Sequence, residues 1–255
     1  MKSFEGKVAV ITGGASGIGL GMARSFAQRG MKLVIADLNE KALADVVTEL
    51  EAGGTEVTSR LTDVSKHEEL QALADLTMER FGAVHVMCNN AGVGLPTSAR
   101  NMKMADWKWI IDVDLWGPIY GVDVFLPLIE DQGEGHINAT SSMSGLIASQ
   151  MMGAYSVSKH GVVGLMTSLE RELRAKKSPV TASVLCPGPI NTNISRHSVD
   201  YRPGKAKPKA DGEKAGKLAA SIQAMLEAGM QPNEVGDLVV VENQVLQLGH
   251  PRQRA

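Results

Sequence analysis

Cysteine is scarce in this chain. Only two of the 255 residues are cysteines, and these two, Cys88 and Cys186, each end a short apolar stretch. Two thiols so far apart form neither a disulfide framework nor a metal-binding motif. We therefore expect two plain buried thiols, no metal site and a reducing compartment.

The sequence also lacks long hydrophobic runs and an excess of either charge. No stretch approaches the ~18 apolar residues of a membrane span, and the first seven residues lack the apolar segment of a signal peptide. The 26 Lys and Arg residues against 28 Asp and Glu residues leave a formal net charge of -2. Such a charge gives no net attraction to nucleic acid or to an anionic membrane. The sequence therefore predicts a cytoplasmic protein with neither partner.

What the sequence does have is an alternation of short β-branched runs and longer amphipathic stretches. This pattern is typical of repeated βα units around a parallel sheet. The six predicted strands are Val8–Thr12, Lys32–Ala36, Val57–Leu61, Val84–Cys88, His136–Ser141 and Val180–Leu185. After a first helix that ends near Gln28, the predicted helices are Glu40–Ala52, His67–Phe81, Ala105–Leu128, Ala154–Lys176, Glu213–Glu227 and Asn233–Glu242.

The order of these elements indicates the fold class. Six strands that alternate with helices predict a doubly wound parallel sheet in a three-layer α/β/α sandwich, the Rossmann fold. No linker or composition shift divides the first 190 residues. The segment from Ser195 to about Ala215 is rich in Pro, Gly and basic residues, which predicts a loop rather than a domain boundary. We therefore expect a single domain over residues 1–255.

A glycine-rich turn follows the first predicted strand. Glycines at positions 13, 17 and 19 of the segment Thr12–Gly19 allow a tight turn and a close approach of the backbone to a pyrophosphate. The N-terminus of the helix that opens there offers free N–H groups and a partial positive charge to the anion. A turn between strand and helix in the first βα unit therefore predicts a dinucleotide site.

An acidic residue, Asp37, follows the second predicted strand about 20 residues later, the spacing at which a carboxylate meets adenosine ribose hydroxyls. Its charge would also repel a 2′-phosphate, and neither Ser16 nor Leu38 is a cation that would receive one. The sequence therefore favours NAD over NADP. The same carboxylate is able to cap the next helix without losing the cofactor role.

Five linked motifs resemble the short-chain dehydrogenase/reductase family in order and spacing. They are the glycine-rich turn, Asn89-Asn90-Ala91-Gly92, Ser142, Tyr155-Ser156-Val157-Ser158-Lys159 and Pro187-Gly188-Pro189-Ile190-Asn191-Thr192. The resemblance covers about Lys7 to Thr192 and implies a hydride transfer between NAD(H) and an alcohol or ketone. It further implies a set of cofactor-binding residues, namely Gly13, Ser16, Gly17, Ile18, Gly19, Asp37, Leu38, Asp63, Val64, Asn90, Ala91, Gly92, Tyr155, Lys159, Pro187, Gly188, Ile190 and Thr192.

The resemblance assigns the chemistry to Tyr155, Lys159 and Ser142. Tyr155 and Lys159 are four residues apart, so they share a face if the segment is helical. A free tyrosine has a pKa near ~10, and a neighbouring ammonium lowers such a pKa by roughly 1–3 units. Tyr155 is therefore expected to act as general acid or base. The family pattern implies that Lys159 also binds the nicotinamide ribose and that Ser142 holds the substrate oxygen.

The chain departs from the family pattern at Asp114, where the family carries Asn. In the family that Asn kinks its helix, and its backbone carbonyl holds a water that contacts the lysine. The backbone role is compatible with Asp, since every residue has a carbonyl. The alternative is that the carboxylate forms an ion pair with Lys159 and raises the pKa of the lysine, which would weaken its effect on Tyr155. We therefore count Asp114 among the catalytic candidates and expect a retained but altered proton relay.

The segment after Thr192 resembles the substrate lid of the family, at about residues 193–230. Methionines cluster near the catalytic candidates and on the lid, at Met143, Met151, Met152, Met225 and Met230. They are interpreted either as the adaptable wall of a pocket for a bulky apolar substrate or as core filling. The resemblance implies a homodimer or homotetramer. A dinucleotide-binding or sensing protein with impaired catalysis is the alternative function, for which Asp114 is the one argument.

Overall fold

A computed structural model of the chain describes residues 3–204, 221 and 224–242. Six parallel strands form one sheet in the order β3-β2-β1-β4-β5-β6. The strands are β1 (Val8–Thr12), β2 (Lys32–Asp37), β3 (Val57–Leu61), β4 (Val86–Asn89), β5 (Gly135–Thr140) and β6 (Val180–Leu185). The order reverses direction between β1 and β4, so the predicted doubly wound sheet is confirmed.

Helices connect the strands and lie on both faces of the sheet. The helices in the described residues are α1 (Gly17–Ala27), α2 (Glu40–Ala52), α3 (His67–Phe81), α4 (Met104–Ile111), α5 (Gly117–Asp131), α6 (Gly153–Ala175), α7 (Ile194–Asp200) and α8 (Pro232–Glu242). A π-helical segment, Asp112–Trp116, joins α4 to α5, and a 3₁₀ turn, Met143–Gly145, follows β5.

The sheet separates two hydrophobic cores. Side chains alternate along a strand, so Val8 and Val10 of β1 face the core under α3, α5 and α6. Ala9 and Ile11 of the same strand face the core under α1 and α2. The Rossmann prediction of three layers, with the strand ends at one open edge, is therefore confirmed.

The predicted helix Ala105–Leu128 is present as one continuous helical stretch, but with a π-helical segment that the sequence did not predict. The structure has α4 and α5 with this segment between them. Such a π turn depends on contacts with other parts of the chain, which periodicity does not contain.

The predicted start of the fourth strand at Val84 is wrong. The strand begins at Val86, although Val84 is fully buried. The ring Nδ1 of His85 accepts the Val8 N–H at 3.1 Å, so a side chain takes a bond that a strand carbonyl would otherwise accept. The backbone of His85 is nevertheless paired on both sides, since its N–H donates to the Val8 carbonyl at 2.9 Å and its carbonyl accepts the His136 N–H at 2.8 Å. Outside the stretch from α4 to α5, the remaining predicted boundaries of the described elements coincide with the structure or differ from it by one residue.

Several sequence predictions lie outside the described residues. These are the lysine-rich part of the lid over 205–220, most of the helix predicted over Glu213–Glu227, and the terminal segment after Glu242. In the part of the chain that the structure describes, no helix is long and apolar enough to cross a membrane.

Candidate active site

The glycine-rich turn after β1 is built for a close approach of the backbone. Gly13 and Gly17 have φ values of +63° and +51°, in the left-handed region that favours glycine. A Cβ at Gly13 would lie 2.8 Å from the Cα of Ala91, and one at Gly19 would lie 2.2 Å from the Gly13 carbonyl oxygen. Helix α1 begins at Gly17 without a side-chain cap from Ser16. The first-turn N–H groups therefore face the cleft in a form that suits a pyrophosphate.

A small polar network ties the ends of three neighbouring strands. The Asn90 amide donates to the Thr12 carbonyl at 3.0 Å and accepts from the Thr140 hydroxyl at 3.1 Å. The Thr12 hydroxyl accepts the backbone N–H groups of Asn90 and Ala91 at 3.0 and 3.2 Å. Asn90 therefore holds the floor of the cleft, with Thr12 and Thr140 as supports that the sequence analysis did not single out.

Asp37 stands at the end of β2 with both carboxylate oxygens engaged. Oδ2 accepts the backbone N–H of Ala15 at 3.2 Å, and Oδ1 accepts that of Asn39 at 3.1 Å. Asn39, and not Asp37, caps α2, since its side chain accepts the Ala42 N–H at 3.1 Å. The carboxylate is therefore fixed at the rim of the cleft beside the glycine-rich turn.

The structure brings Ser142, Tyr155 and Lys159 together at the carboxyl edge of the sheet. Tyr155 and Lys159 share one face of α6, and the Lys159 Nζ lies 5.5 Å from the centre of the Tyr155 ring. Ser142 precedes the 3₁₀ turn, where its hydroxyl accepts the Ser144 N–H at 3.1 Å. The Ser142 hydroxyl lies on the Tyr155 side of the cleft, where it acts to lower the pKa of the phenol.

Asp114 lies behind this group, in the middle of the π-helical segment. Its Oδ1 accepts the Val93 N–H at 2.7 Å, and its Oδ2 lies 3.7 Å from the Lys159 Nζ. The Lys159 ammonium also donates to the Thr140 carbonyl at 3.1 Å. Both charged side chains are buried, with exposed fractions of 0% for Asp114 and 4% for Lys159. The structure therefore places the carboxylate close enough to Lys159 to pair with it.

Gly92 makes room for this ion pair. A Cβ there would lie 3.2 Å from the Lys159 Nζ and 3.4 Å from the Asp114 Oδ1. The backbone of the Asn89-Asn90-Ala91-Gly92 motif thus covers the two charges directly.

The pKa of Tyr155 moves in the direction opposite to the one that the lysine alone predicts. Burial raises the pKa of the phenol, and the Asp114 carboxylate adds to the rise. The Lys159 ammonium and the Ser142 hydroxyl act in the lowering direction without reversing it. Burial likewise raises the pKa of Asp114, against the pull of Lys159. Lys159 therefore does lower the pKa of Tyr155, but without bound cofactor the opposing effects of burial and Asp114 are larger.

One cleft contains most of the predicted site residues. Those that line it are Gly13, Ser16, Gly17, Ile18, Asp37, Leu38, Asp63, Val64, Asn90, Ala91, Gly92, Ser142, Tyr155, Lys159, Pro187, Gly188, Ile190 and Thr192. Gly19 and Asp114 do not line the cleft, because both are packed behind its wall.

The cleft also has lining residues that the sequence analysis did not name, although the last five of them fall within the lid predicted at about 193–230. They are Thr62, Val93, Trp109, Val113, Thr140, Ser141, Asn193, Ile194, His197, Tyr201 and Leu226. A signal existed for some of them, since Ile194, His197 and Tyr201 have the spacing of one helical face directly after Thr192.

The two cysteines are unpaired. Cys88 is buried, which raises the pKa of its thiol to about 12, but Cys186 is only half-buried, against the expectation. Within residues 3–204, 221 and 224–242, no group of three His, Cys, Asp or Glu side chains is arranged to hold a metal ion.

Comparison with known proteins gives the family. The model of the short chain dehydrogenase family matches residues 7–202. This chain belongs to the short-chain dehydrogenase/reductase family.

Relatives and solved structures agree with this assignment. SadH of Mycobacterium tuberculosis, named as an oxidoreductase, is 39% identical over 78% of this chain and 72% of its own length. Cyclohexanol dehydrogenase of an Acinetobacter species is 35% identical over 75% of this chain and 76% of its own length. A short-chain dehydrogenase/reductase of Burkholderia phymatum, crystallised with NAD, is 39% identical with a TM-score of 0.90. That match covers 96% of this chain and 88% of the other.

Proposed function

We propose that this oxidoreductase transfers a hydride between NAD(H) and a secondary alcohol or ketone. The observation that carries the proposal is the convergence of Ser142, Tyr155 and Lys159 at one end of a cleft whose other end holds Asp37. The N-terminus of α1 would hold the phosphates of a dinucleotide, Asp37 would hold its adenosine ribose, and Tyr155 and Lys159 would flank its nicotinamide end.

The residues divide the work of the reaction between them. Bound NAD⁺ supplies the hydride acceptor, and NADH supplies the donor. In oxidation the Tyr155 phenolate takes the hydroxyl proton of the alcohol as the carbinol C–H bond breaks, and in reduction the phenol returns a proton to the ketone oxygen. Ser142 donates a hydrogen bond to the substrate oxygen. Lys159 stabilises the phenolate and binds the nicotinamide ribose.

The charge distribution of the cleft supports NAD as the cofactor. Asp37 is held at the rim by two backbone N–H groups, where its charge opposes a 2′-phosphate. Among the described lining residues, Lys159 is the only Lys or Arg side chain, and it lies at the opposite end from Asp37. Preference for NAD over NADP is therefore part of the proposal.

The substrate that we propose is bulky and apolar. Met143 is 55% exposed and Met225 is 51% exposed, so core filling does not describe these two. The Met143 Sδ would lie 3.5 Å from a Cβ at Gly188, and the Met152 Cε would lie 3.8 Å from one at Gly94. A Cβ at Gly94 would itself lie 3.7 Å from the Tyr155 ring. Two flexible apolar side chains, Met143 and Met152, thus lie close to glycines beside the reacting end of the cleft.

One observation favours the alternative, a dinucleotide-binding protein with impaired catalysis. Burial and Asp114 together raise the pKa of Tyr155, which disfavours the phenolate that oxidation needs. Reduction needs the protonated phenol instead, so the same observation is compatible with a ketone reductase.

We further propose a cytoplasmic homodimer or homotetramer. The two thiols are unpaired, as expected in a reducing compartment. On the helical stretch from α4 to α5, Trp116 is 43% exposed, stacks on Tyr120 and offers apolar area for a second copy. Light scattering coupled to size-exclusion chromatography tests this, and a monomeric mass at working concentration contradicts it.

The decisive experiment is an absorbance assay of NADH formation with NAD⁺ or NADP⁺ over a panel of secondary alcohols. The panel includes aliphatic, aryl, steroidal and terpenoid alcohols, and the reverse reaction is run on the matching ketones. We expect turnover with NAD⁺ that is lost in Tyr155→Phe. If the protein binds NADH but turns over no member in either direction, the alternative function is favoured.

A further inference from the structure

The lid helix α7 has two faces with different surroundings. Ile194, His197 and Tyr201 line the cleft, and the rings of His197 and Tyr201 meet edge to face with centroids 6.5 Å apart. The neighbouring face carries Ser198 and, just beyond the helix, Arg202, both of which are buried. One face of the lid is therefore turned to the ligand space and the other to the body of the protein.

Ser198 binds the lid to the loop after β4. Its hydroxyl accepts the Gly94 N–H at 2.7 Å and donates to the Ile194 carbonyl at 2.6 Å. The side chain is fully buried, so water does not compete for either bond. Gly94 lies beside the Tyr155 ring, which places this contact next to the catalytic group.

Arg202 binds the lid to α4 through a two-point ion pair with Asp106. Nε donates to Oδ1 at 2.7 Å, and Nη2 donates to Oδ2 at 2.6 Å. Asp106 is 3% exposed and Arg202 is 7% exposed, unlike a surface pair, which contributes little. The guanidinium lowers the pKa of the Asp106 carboxyl, so the pair is charged at neutral pH. Such a fork fixes an orientation as well as a distance.

Asp106, which binds Arg202, lies on a helix that is connected directly to the catalytic residues. Asp106 lies in the first turn of α4, which continues into the π-helical segment that carries Asp114. The next residue, Trp107, packs near Gly153 at the start of α6, two residues before Tyr155. A lid fixed to Asp106 is therefore positioned relative to the proton-transfer group.

We propose that Asp106, Ser198 and Arg202 are positioning residues that dock α7 before ligand binds, so that His197 and Tyr201 are held against the cleft as its specificity-determining wall. Only the kinetic part of the test rests on the proposed function. The docked lid thus adds an imidazole and a phenol to the lining of the cleft.

Hydrogen exchange followed by mass spectrometry tests the docking without turnover. The double variant Asp106→Leu/Arg202→Met removes both buried charges and leaves neither unpaired, which protects the fold. We expect amide exchange across residues 194–204 to rise by about ten-fold or more, while β1 and β5 keep their protection. The matched control Lys41→Gln/Asp45→Asn removes an exposed ion pair on α2 and leaves exchange unchanged throughout.

Two outcomes overturn the inference. Unchanged exchange over 194–204 shows that the pair does not hold the lid. An equal rise in β1 and β5 assigns the pair to global stability instead of positioning. Arg202→Lys keeps the positive charge but loses the two parallel hydrogen bonds to Asp106. We expect it to give an increase in amide exchange over 194–204 that is smaller than that of the double variant.

Kinetics on an alcohol that the wild-type enzyme turns over form the second readout. For the double variant we expect KM to rise about ten-fold while kcat stays within about two-fold, and Ser198→Ala shifts KM in the same direction. A loss confined to kcat contradicts a positioning role in binding. If the wild type turns over no alcohol or ketone while exchange changes as expected, the proposed function fails and the docking of α7 stands.

Discussion

The Asp114 Oδ2 lies 3.7 Å from the Lys159 Nζ, and both side chains are buried. The same lysine lies 5.5 Å from the centre of the Tyr155 ring, so a negative charge is placed behind the cation that supports the phenolate. Burial is the largest cause of the raised pKa of Tyr155, and Asp114 acts in the same direction. The altered proton relay expected from the sequence thus has a geometric basis, and its direction is a raised pKa of Tyr155.

Asp114→Asn is expected to move alcohol oxidation to lower pH. Oxidation needs the Tyr155 phenolate, so its rate rises as pH increases through the pKa of Tyr155. Removal of the carboxylate lowers that pKa, so the rising limb of the pH–rate profile shifts toward acid. Ketone reduction, which needs the phenol, then declines at a correspondingly lower pH. Steady-state rates of both directions over a pH series measure the shift.

Asp112→Asn is the matched control for that variant. Asp112 lies in the same π-helical segment but pairs at 2.7 Å with the exposed Lys108, away from the cleft. Its profile is expected to match that of the wild type. Superimposable profiles for wild type, Asp112→Asn and Asp114→Asn would show that Asp114 does not influence the relay.

Gly92→Ala is expected to lower kcat with little loss of folding. The added Cβ would lie 3.2 Å from the Lys159 Nζ and 3.4 Å from the Asp114 Oδ1, so the ammonium must shift by a few tenths of an ångström. A misplacement of about 1 Å reduces the rate by ~10²-fold, so we expect this smaller shift to lower kcat by roughly a few-fold. Gly94→Ala is the comparison, because its Cβ meets Tyr155 and Met152 at the ordinary contact distances of 3.7 and 3.8 Å. Equal kcat in the two variants, at matched melting temperature, contradicts the prediction.

The sequence is sufficient for the features that depend on local pattern. The doubly wound sheet follows from the alternation of β-branched and amphipathic stretches, and all six predicted strands are present. The glycine-rich turn and the Tyr155–Lys159 spacing are local as well, so the cleft formed where they were expected.

Features that depend on distant contacts were not predictable in this way. The π-helical segment is associated with the bond between the Asp114 carboxylate and the Val93 N–H, 21 residues away in sequence. The lid anchor joins Asp106 to Arg202 across 96 residues. The raised pKa of Tyr155 comes first from burial, a property of the assembled fold rather than of the motif.

Asp37→Ser combined with Leu38→Arg is expected to reverse the cofactor preference. The change removes the carboxylate from the rim and places a guanidinium where a 2′-phosphate would lie. We expect Kd for NADPH to fall and Kd for NADH to rise, each by about ten-fold or more, as measured by fluorescence titration. Glu40→Ser removes an exposed charge in the first turn of α2 and is expected to change neither. If the ratio of Kd for NADPH to Kd for NADH is the same in the double variant as in the wild type, Asp37 does not determine the cofactor preference.

The last prediction concerns the stability of the fold in acid, through His136. This side chain is buried in β5, with its ring nitrogens 2.7 and 2.8 Å from the hydroxyl oxygens of Thr181 and Ser183. Burial lowers the pKa of His136 from 6.5 to about 4, so the native state holds the ring neutral where the unfolded chain protonates it. The stabilising contribution is complete above the unfolded pKa and is lost as pH falls through the folded one. Between these values the free energy of unfolding should fall by about 3 kcal/mol.

Urea unfolding at a series of pH values isolates this contribution. His136→Gln keeps hydrogen-bonding capacity toward the two hydroxyls but does not titrate, so its stability is expected to vary less between pH 6.5 and 4. His67→Gln alters a histidine at an exposed position on α3 and is expected to keep the wild-type slope. If His136→Gln and wild type lose stability in parallel over this range, protonation of the buried ring is not what weakens the fold in acid. The carboxylates would then account for the loss, because their protonation is the other common cause of acid unfolding.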